Sequence, residues 1–137
     1  MQPLLLDTCA VVWIAENEKL APLALDALSS TYEAGAPTYV SPITAWEIGM
    51  LASRDRLKLL ITPHRWFGRL LETPTVRMAD MSPDLLIASS FLPGRPPRDP
   101  ADRIIAATAR DYGCTLMTRD RALLDYGEQG HIRVLAC

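Results

Sequence analysis

Four acidic residues, far apart along the chain, occupy positions where a carboxylate with only a structural role is unusual. They are Asp7, Glu47, Asp102 and Asp120. Asp7 directly follows the apolar run 3–6, and Asp120 lies two residues after the apolar run 114–118. If these runs are parallel strands, both acids lie at the carboxyl edge of the sheet, where open α/β sheets bind their ligands.

Glu47 and Asp102 fall on the apolar sides of two predicted helices. Residues three and four apart share a helix face, so Glu47 belongs to the same predicted stripe as Ile43 and Met50. Asp102 precedes Ile105 and Ala106 by the same spacing. A lone ionised carboxylate against a core costs on the order of several kcal/mol unless it is paired or binds a cation. Both acids therefore need a partner.

A divalent cation would offset the electrostatic repulsion among these four acids. Clustered carboxylates repel one another and take up protons, whereas Mg²⁺ or Mn²⁺ prefers oxygen ligands and retains several waters. Such a site suits phosphodiester hydrolysis, because the ion activates water and neutralises charge on the phosphate. Asp99 could join the cluster, although Asp99 is also a good helix N-cap and Asp102 a favourable acid in the first turn.

Alternating strand and helix patterns predict the elements that position these residues. Strands are expected at 3–6, 38–41, 75–79, 114–118 and 132–135. Helices are expected at 8–17 with Thr8 as the cap, and at 22–34, 42–54, 63–72, 83–91, 100–112 and 121–126. This order predicts an α/β fold in three layers, α/β/α, around a central five-stranded parallel sheet. The strands ending at Asp7 and near Asp120 are expected to be neighbours, and residues 1–137 to form one domain.

Composition narrows the function classes. The formal net charge of −2 argues against nucleic-acid binding by bulk electrostatics, but it allows a local basic rim. The chain has no apolar run long enough for a membrane span and no signal-peptide pattern at its start, so the cytoplasm is expected. The scattered cysteines Cys9, Cys114 and Cys137 match no zinc spacing and are expected to be free thiols.

Four segments in order resemble the PIN-domain family and, within it, the VapC-type toxins of bacterial toxin–antitoxin systems. They are LLLDT at 4–8, SPITAWEI at 41–48, RDPADRIIAATA at 98–109 and LMTRD at 116–120. Together they cover nearly the whole chain. The resemblance implies a PIN-like fold, RNA cleavage that depends on Mg²⁺ or Mn²⁺, a homodimer and a cognate antitoxin. The RNA would be tRNA or another structured RNA.

The resemblance also implies roles for individual residues. It places metal-binding acids at Asp7, Glu47, Asp102 and Asp120, with Asp99 as a further acid. A subgroup often has His before that acid, where this chain has Arg98. Polar positions beside the acids, Thr8, Thr44 and Thr118, could orient them. Apart from the resemblance, Arg103 and Arg119 adjoin the candidate acids and are predicted to contact RNA phosphates, although they could equally be solvated loop charges that pair with Asp99 or Asp120. Substrate contacts are also predicted for Thr8 and Thr118.

Two other functions remain open from the residues alone. An Asp after the first strand of a doubly wound sheet also suits a Mg²⁺-dependent phospho-acceptor module, but Met117-Thr118-Arg119 stands where such a module would carry a late-strand lysine. A catalytically inactive binding module is the other alternative. Trp46 and Met50 are expected in the core, although with Trp13, Leu51, Trp66 and Phe67 they could instead form a groove or a dimer face.

Overall fold

The computed structural model describes residues 2–137, which alternate between short strands and helices. In chain order the elements are β1 (Leu4–Leu6), α1 (Thr8–Ala15), α2 (Pro22–Glu33), β2 (Thr38–Val40), α3 (Pro42–Ser53), α4 (Pro63–Glu72), β3 (Val76–Met78), α5 (Pro83–Ala88), α6 (Pro100–Tyr112), β4 (Thr115–Thr118), α7 (Arg121–Glu128) and β5 (Arg133–Ala136). Within the described range, no helix is both long enough and apolar enough to cross a membrane.

The five strands form one sheet in the order β3-β2-β1-β4-β5, with every pairing parallel. The predicted fold class is therefore confirmed. β1 and β4 are neighbours, with Leu6 opposite Met117, as expected for the strands that precede Asp7 and Asp120. From β1 the chain adds β2 and β3 on one side of the sheet, and then β4 and β5 on the other side. Because the strand order reverses between β1 and β4, a crevice forms at the carboxyl ends of these two strands.

Two hydrophobic clusters cover the two faces of the sheet. Successive side chains of a strand point to opposite faces, so Leu4 and Leu6 pack in one cluster and Leu5 in the other. Met117 and Leu116 of β4 divide in the same way. Helices pack over both clusters, which gives the three predicted layers. β1 is buried throughout and holds Asp7 at the centre of the sheet's edge.

The helix starts follow a simple local rule. Four helices, α3 to α6, begin with proline directly after a side chain that accepts a backbone N–H; these caps are Ser41, Thr62, Ser82 and Asp99. Proline suits the first helical position because its missing N–H would have no partner there. The predicted starts at 42, 63, 83 and 100 are confirmed.

Four local predictions were wrong. Asp7, not Thr8, caps α1: its carboxylate accepts the Thr8 N–H at 2.9 Å. α1 ends at Ala15, and Asn17 follows with a left-handed φ of 60°, which asparagine tolerates better than most residues. α5 ends at Ala88 rather than at residue 91. α7 continues to Glu128 rather than ending at residue 126.

Trp46 does not lie in the core. It is 57% exposed, and the buried positions of α3 are Thr44 and Ile48. α3 carries apolar residues nearly all round, so their spacing favours no single face. The core expectation for Trp46 was therefore wrong, and Met50 is only half-buried.

Candidate metal centre

The five predicted acids line one cleft of about 490 Å³ at the carboxyl edge of the sheet. Asp7 follows β1 and Asp120 follows β4, the two central neighbours. Glu47 comes from α3, and Asp99 and Asp102 come from the start of α6. Tertiary structure thus brings together side chains that are up to 113 positions apart in sequence.

A buried threonine links Asp7 to the backbone at Asp120. The Thr118 hydroxyl donates to Asp7 Oδ2 at 2.7 Å and accepts the Asp120 N–H at 3.0 Å. Asp7 Oδ1 accepts the Thr8 N–H. Because Thr118 has no exposed surface and its hydroxyl bonds both Asp7 and the Asp120 N–H, its position favours orienting Asp7 over contacting substrate.

A second threonine orients Glu47. The Thr8 hydroxyl donates to Glu47 Oε1 at 2.7 Å and lies 3.1 Å from the Thr44 hydroxyl. Thr8 is buried, so its geometry also favours an orienting role. Thr8 and Thr118 thus hold one acid each.

Three of the acids also cap helices. Asp7 caps α1, Asp99 caps α6 by accepting the Ala101 N–H at 2.8 Å, and Asp120 caps α7 by accepting the Leu123 N–H at 3.0 Å. Helix N-termini favour negative charge, which helps the fold tolerate several acids together. The structural role of Asp99 as a cap is therefore confirmed. Its role as a metal ligand stays a prediction.

Burial and the charges of neighbouring acids raise the pKa of three acids in the cleft, Asp102, Glu47 and Asp7. Burial, reinforced by the charges of Asp120, Asp99, Asp7 and Glu47, raises the pKa of Asp102 to about 7. Burial also raises the pKa of Glu47, with the Thr8 hydrogen bond opposing it and the neighbouring acids adding to it. The pKa of Asp7 is raised by burial as well, against the hydrogen bonds it accepts. The five charges lie close enough to oppose one another.

In residues 2–137, no arginine, lysine or histidine forms an ion pair with an acid of the cleft. Across residues 2–137, the ion pair present is the exposed Arg121–Asp125 contact at 3.4 Å on α7. Arg103 lies near Tyr126, whose pKa is raised by burial while the charges of Arg110 and Arg103 oppose that shift. Within the described range, buried Asp7 and half-buried Glu47 and Asp102 thus lack the paired positive charge that desolvated carboxylates need.

Arg119 lines the cleft, but its guanidinium bonds backbone oxygens outside the acidic cluster. Nε donates to the Cys137 carbonyl at 2.6 Å, and Nη2 donates to the Lys19 carbonyl at 3.1 Å. The guanidinium carbon also stacks over the Trp13 ring, 2.7 Å from its centroid. Arg119 directly follows β4. It thus connects the end of this strand to Trp13 in α1, to Lys19 in the segment after α1 and to Cys137 after β5. The predicted RNA contact by Arg119 would require these bonds to break.

Replacing Arg119 with alanine is expected to destabilise the protein by about 2 kcal/mol, because two carbonyls lose a charged donor and Trp13 loses its stacking partner. Urea unfolding measures this change. The matched control is Arg121→Ala, which removes an exposed pair on the next helix and should cost about 0.5 kcal/mol or less. Equal losses in the two variants would contradict the assigned role of Arg119.

Sequence reasoning missed the position of Cys9. All three cysteines are free, as predicted, but Cys9 lines the cleft, and its thiol donates to Asp7 Oδ2 at 3.5 Å. Burial and the charge of Asp7 raise the pKa of this thiol to about 11, so it is a neutral donor. Its place two residues after Asp7 is the only sequence signal that could have indicated this contact.

The donor set fits a hard divalent cation. In the described part of the chain, no three acid, cysteine or histidine side chains are already close enough to enclose an ion. Mg²⁺ does not require that, since it keeps several waters and binds through one or two carboxylates. Carboxylate oxygens are the ligands that Mg²⁺ and Mn²⁺ prefer, and those of the cleft range from buried at Asp7 to exposed at Asp99. The residues present therefore fit such an ion.

A family model gives independent evidence. The PIN domain model matches residues 4–129, which include all five acids of the cleft. The chain belongs to the PIN-domain family. The resemblance seen in the four sequence segments is thereby confirmed.

A relative agrees with this assignment, and solved structures share the fold. This PIN domain is 36% identical over 124 residues to Ribonuclease VapC22 of Mycobacterium tuberculosis, a match that spans 90% of this chain and 91% of that protein. Its fold matches VapBC2 from Rickettsia felis bound to a promoter DNA fragment, with a TM-score of 0.68, 15% identity and 98% of each chain covered. It also matches DNA-bound VapBC from Salmonella typhimurium, with a TM-score of 0.63, 19% identity, and coverage of 99% of this chain and 98% of that one.

Proposed function

We propose that this PIN domain is a VapC-type endoribonuclease that cleaves RNA with the help of Mg²⁺ or Mn²⁺. One observation carries the proposal: five acids line a single cleft, burial and mutual charge raise the pKa of three of them, and no arginine or lysine pairs with them in residues 2–137. The 36% identity to a named ribonuclease supports the same activity.

The acids of the cleft have different proposed roles in binding the ion. Asp7 and Asp102 are proposed as direct ligands, Glu47 and Asp120 complete the site, and Asp99 caps α6 beside them. A bound cation would activate water for attack on the phosphate and neutralise charge on the leaving oxygen. Thr118 fixes the carboxylate of Asp7 and Thr8 fixes that of Glu47, so both acids are oriented before the ion arrives.

RNA is the proposed substrate, with tRNA or another structured RNA as the expected class. The protein carries a net negative charge, so binding would depend on local basic side chains rather than on overall attraction. Arg103 directly follows Asp102 on α6 and remains the proposed phosphate contact. Free cysteines and this substrate class favour the cytoplasm.

A cognate antitoxin and a second copy of the chain are the proposed protein partners. An apolar groove of about 480 Å³ lies between α1, α2 and α4, with Ile14, Leu28, Trp66 and Leu70 among its walls. Its size and composition suit the apolar face of an amphipathic helix. The exposed side chains of Trp46, Ile87 and Phe91 offer apolar surface for self-association.

Cleavage of a panel of purified RNAs tests the proposed activity. Full-length protein is expected to cut RNA with Mn²⁺ or Mg²⁺ and to lose cleavage when a chelator is added. Induced expression in a bacterium, followed by sequencing of RNA 5′ ends, should show growth arrest and new ends at defined sites. Cleavage that persists in the chelator would contradict a metal-dependent mechanism.

A further inference from the structure

Thr44 contacts the site only through another hydroxyl. It lies in the first turn of α3, is fully buried, and does not line the cleft. Its Oγ1 is 3.1 Å from that of Thr8, which bonds Glu47 Oε1 at 2.7 Å. Within residues 2–137, Thr8 is the hydrogen-bond partner of the Thr44 hydroxyl. Thr44 is therefore not placed to contact an ion or a substrate in the cleft directly.

Counting protons fixes the direction of this chain of hydrogen bonds. Each threonine hydroxyl has one proton to donate, and an ionised carboxylate only accepts. With Glu47 ionised, the form that binds a cation, the proton of Thr8 goes to Glu47. The proton of Thr44 must then go to Thr8. The donors are ordered Thr44 to Thr8 to Glu47.

We propose that Thr44 is a positioning residue for the metal centre, which acts on Glu47 through Thr8. The inference rests on the proposed function and deepens it. Hydrogen bonds in series polarise one another, so the donor at Thr44 strengthens the bond from Thr8 to the carboxylate. Thr44 and Glu47 are three residues apart on α3, whereas Thr8 belongs to α1. The relay therefore also holds the two helices in the alignment that points Glu47 into the cleft.

Thr44→Val removes the donor and keeps the side chain's shape. Mn²⁺ affinity of the full chain, measured by calorimetry, is expected to fall about tenfold, the low end for residues that orient metal ligands. Thr44→Ser keeps the hydroxyl and should bind like wild type. The matched control is Thr108→Val, another fully buried threonine, whose hydroxyl bonds the Ile104 carbonyl within α6; it should leave the affinity unchanged.

A double-mutant cycle separates this role from general packing. If Thr44 acts through Thr8, adding Thr44→Val to Thr8→Val should change Mn²⁺ affinity little further. Independent, additive losses would overturn the proposal, as would wild-type affinity in Thr44→Val. Metal-free thermal unfolding checks that each variant folds, and Thr44→Ala enters the same cycle if the valine variant does not.

The outcomes distinguish this inference from the function on which it rests. Absence of Mn²⁺ binding by the wild-type protein would overturn both. Wild-type binding that Thr44→Val leaves unchanged would overturn only the role of Thr44.

Discussion

Asp7→Asn is expected to reduce Mn²⁺-dependent RNA cleavage by at least about 100-fold, because the proposed ligand at the centre of the sheet edge loses its charge. The substitution should leave the fold intact. Asparagine is as good an N-cap as aspartate, and its side-chain oxygen can still accept the Thr8 N–H at the start of α1. Initial rates on one RNA, at matched Mn²⁺ concentrations, measure the loss.

The comparison for Asp7→Asn is Asp125→Asn. Asp125 is an exposed acid on α7 that pairs with Arg121 and does not line the cleft. It should keep wild-type rates, which shows that the loss at Asp7 does not come from one fewer negative charge on the protein. Full cleavage activity in Asp7→Asn would refute the proposed metal centre.

Asp102→Asn is expected to reduce Mn²⁺-dependent cleavage about as much as Asp7→Asn does. The same substitution should make the metal-free protein more stable. The folded pKa of Asp102, about 7, is above its ordinary value of 3.8, so the folded state holds this proton more tightly than the unfolded state. Wild-type stability without metal should therefore fall as pH rises from about 4 through 7. Above that range the penalty is fully present, and the neutral asparagine avoids it.

At pH 8 the gain for Asp102→Asn should be about 1–2 kcal/mol, or roughly 3–8 °C in Tm. This is well below the free energy of the full pKa shift, because Asp102 is only half-buried and solvent screens its charge. Thermal unfolding in a chelator at pH 4, 6 and 8 measures it, and the gain should vanish near pH 4. Saturating Mn²⁺ should reverse the order of stability, since it binds the wild type more tightly.

Asp84→Asn is the matched control for the stability gain. Asp84 is an exposed acid in the first turn of α5, as Asp102 is in the first turn of α6, but it lies outside the cleft. Its removal should be neutral or slightly destabilising, because a first-turn acid normally favours a helix. A pH-independent gain in both variants would show that crowding among the acids is not the cause.

Much of the site was predictable because local rules determine it. Buried runs that end at Asp7 and near Asp120 indicate strand ends, and parallel strands expose their carboxyl ends at one edge. Asp99-Pro100 combines an N-cap with a favourable first helical residue, which sets the start of α6 and the position of Asp102. Each of these inferences needs only neighbouring residues and the geometry of a strand or helix.

The partners of Arg119 and the exposure of Trp46 could not be predicted in this way. Arg119 is next to Asp120 in sequence, which suggested a contact with RNA phosphate at the rim. Its guanidinium instead reaches carbonyls at Lys19 and Cys137, 100 and 18 residues away. Trp46 lies on a helix that is apolar nearly all round, so only the packing of α3 decides which side faces solvent.

The sequence by itself determined which residues can ionise, where the helices begin, and that the acids come to one edge of a parallel sheet. Those properties depend on residue type and short-range spacing. Only the tertiary structure decided which groups bond each acid: Thr118 bonds Asp7, and Thr8, itself bonded to Thr44, bonds Glu47. It also decided that no side-chain cation pairs with the cluster within residues 2–137. Hydrogen bonds and pKa shifts depend on distances between side chains far apart in the chain, and packing sets those distances.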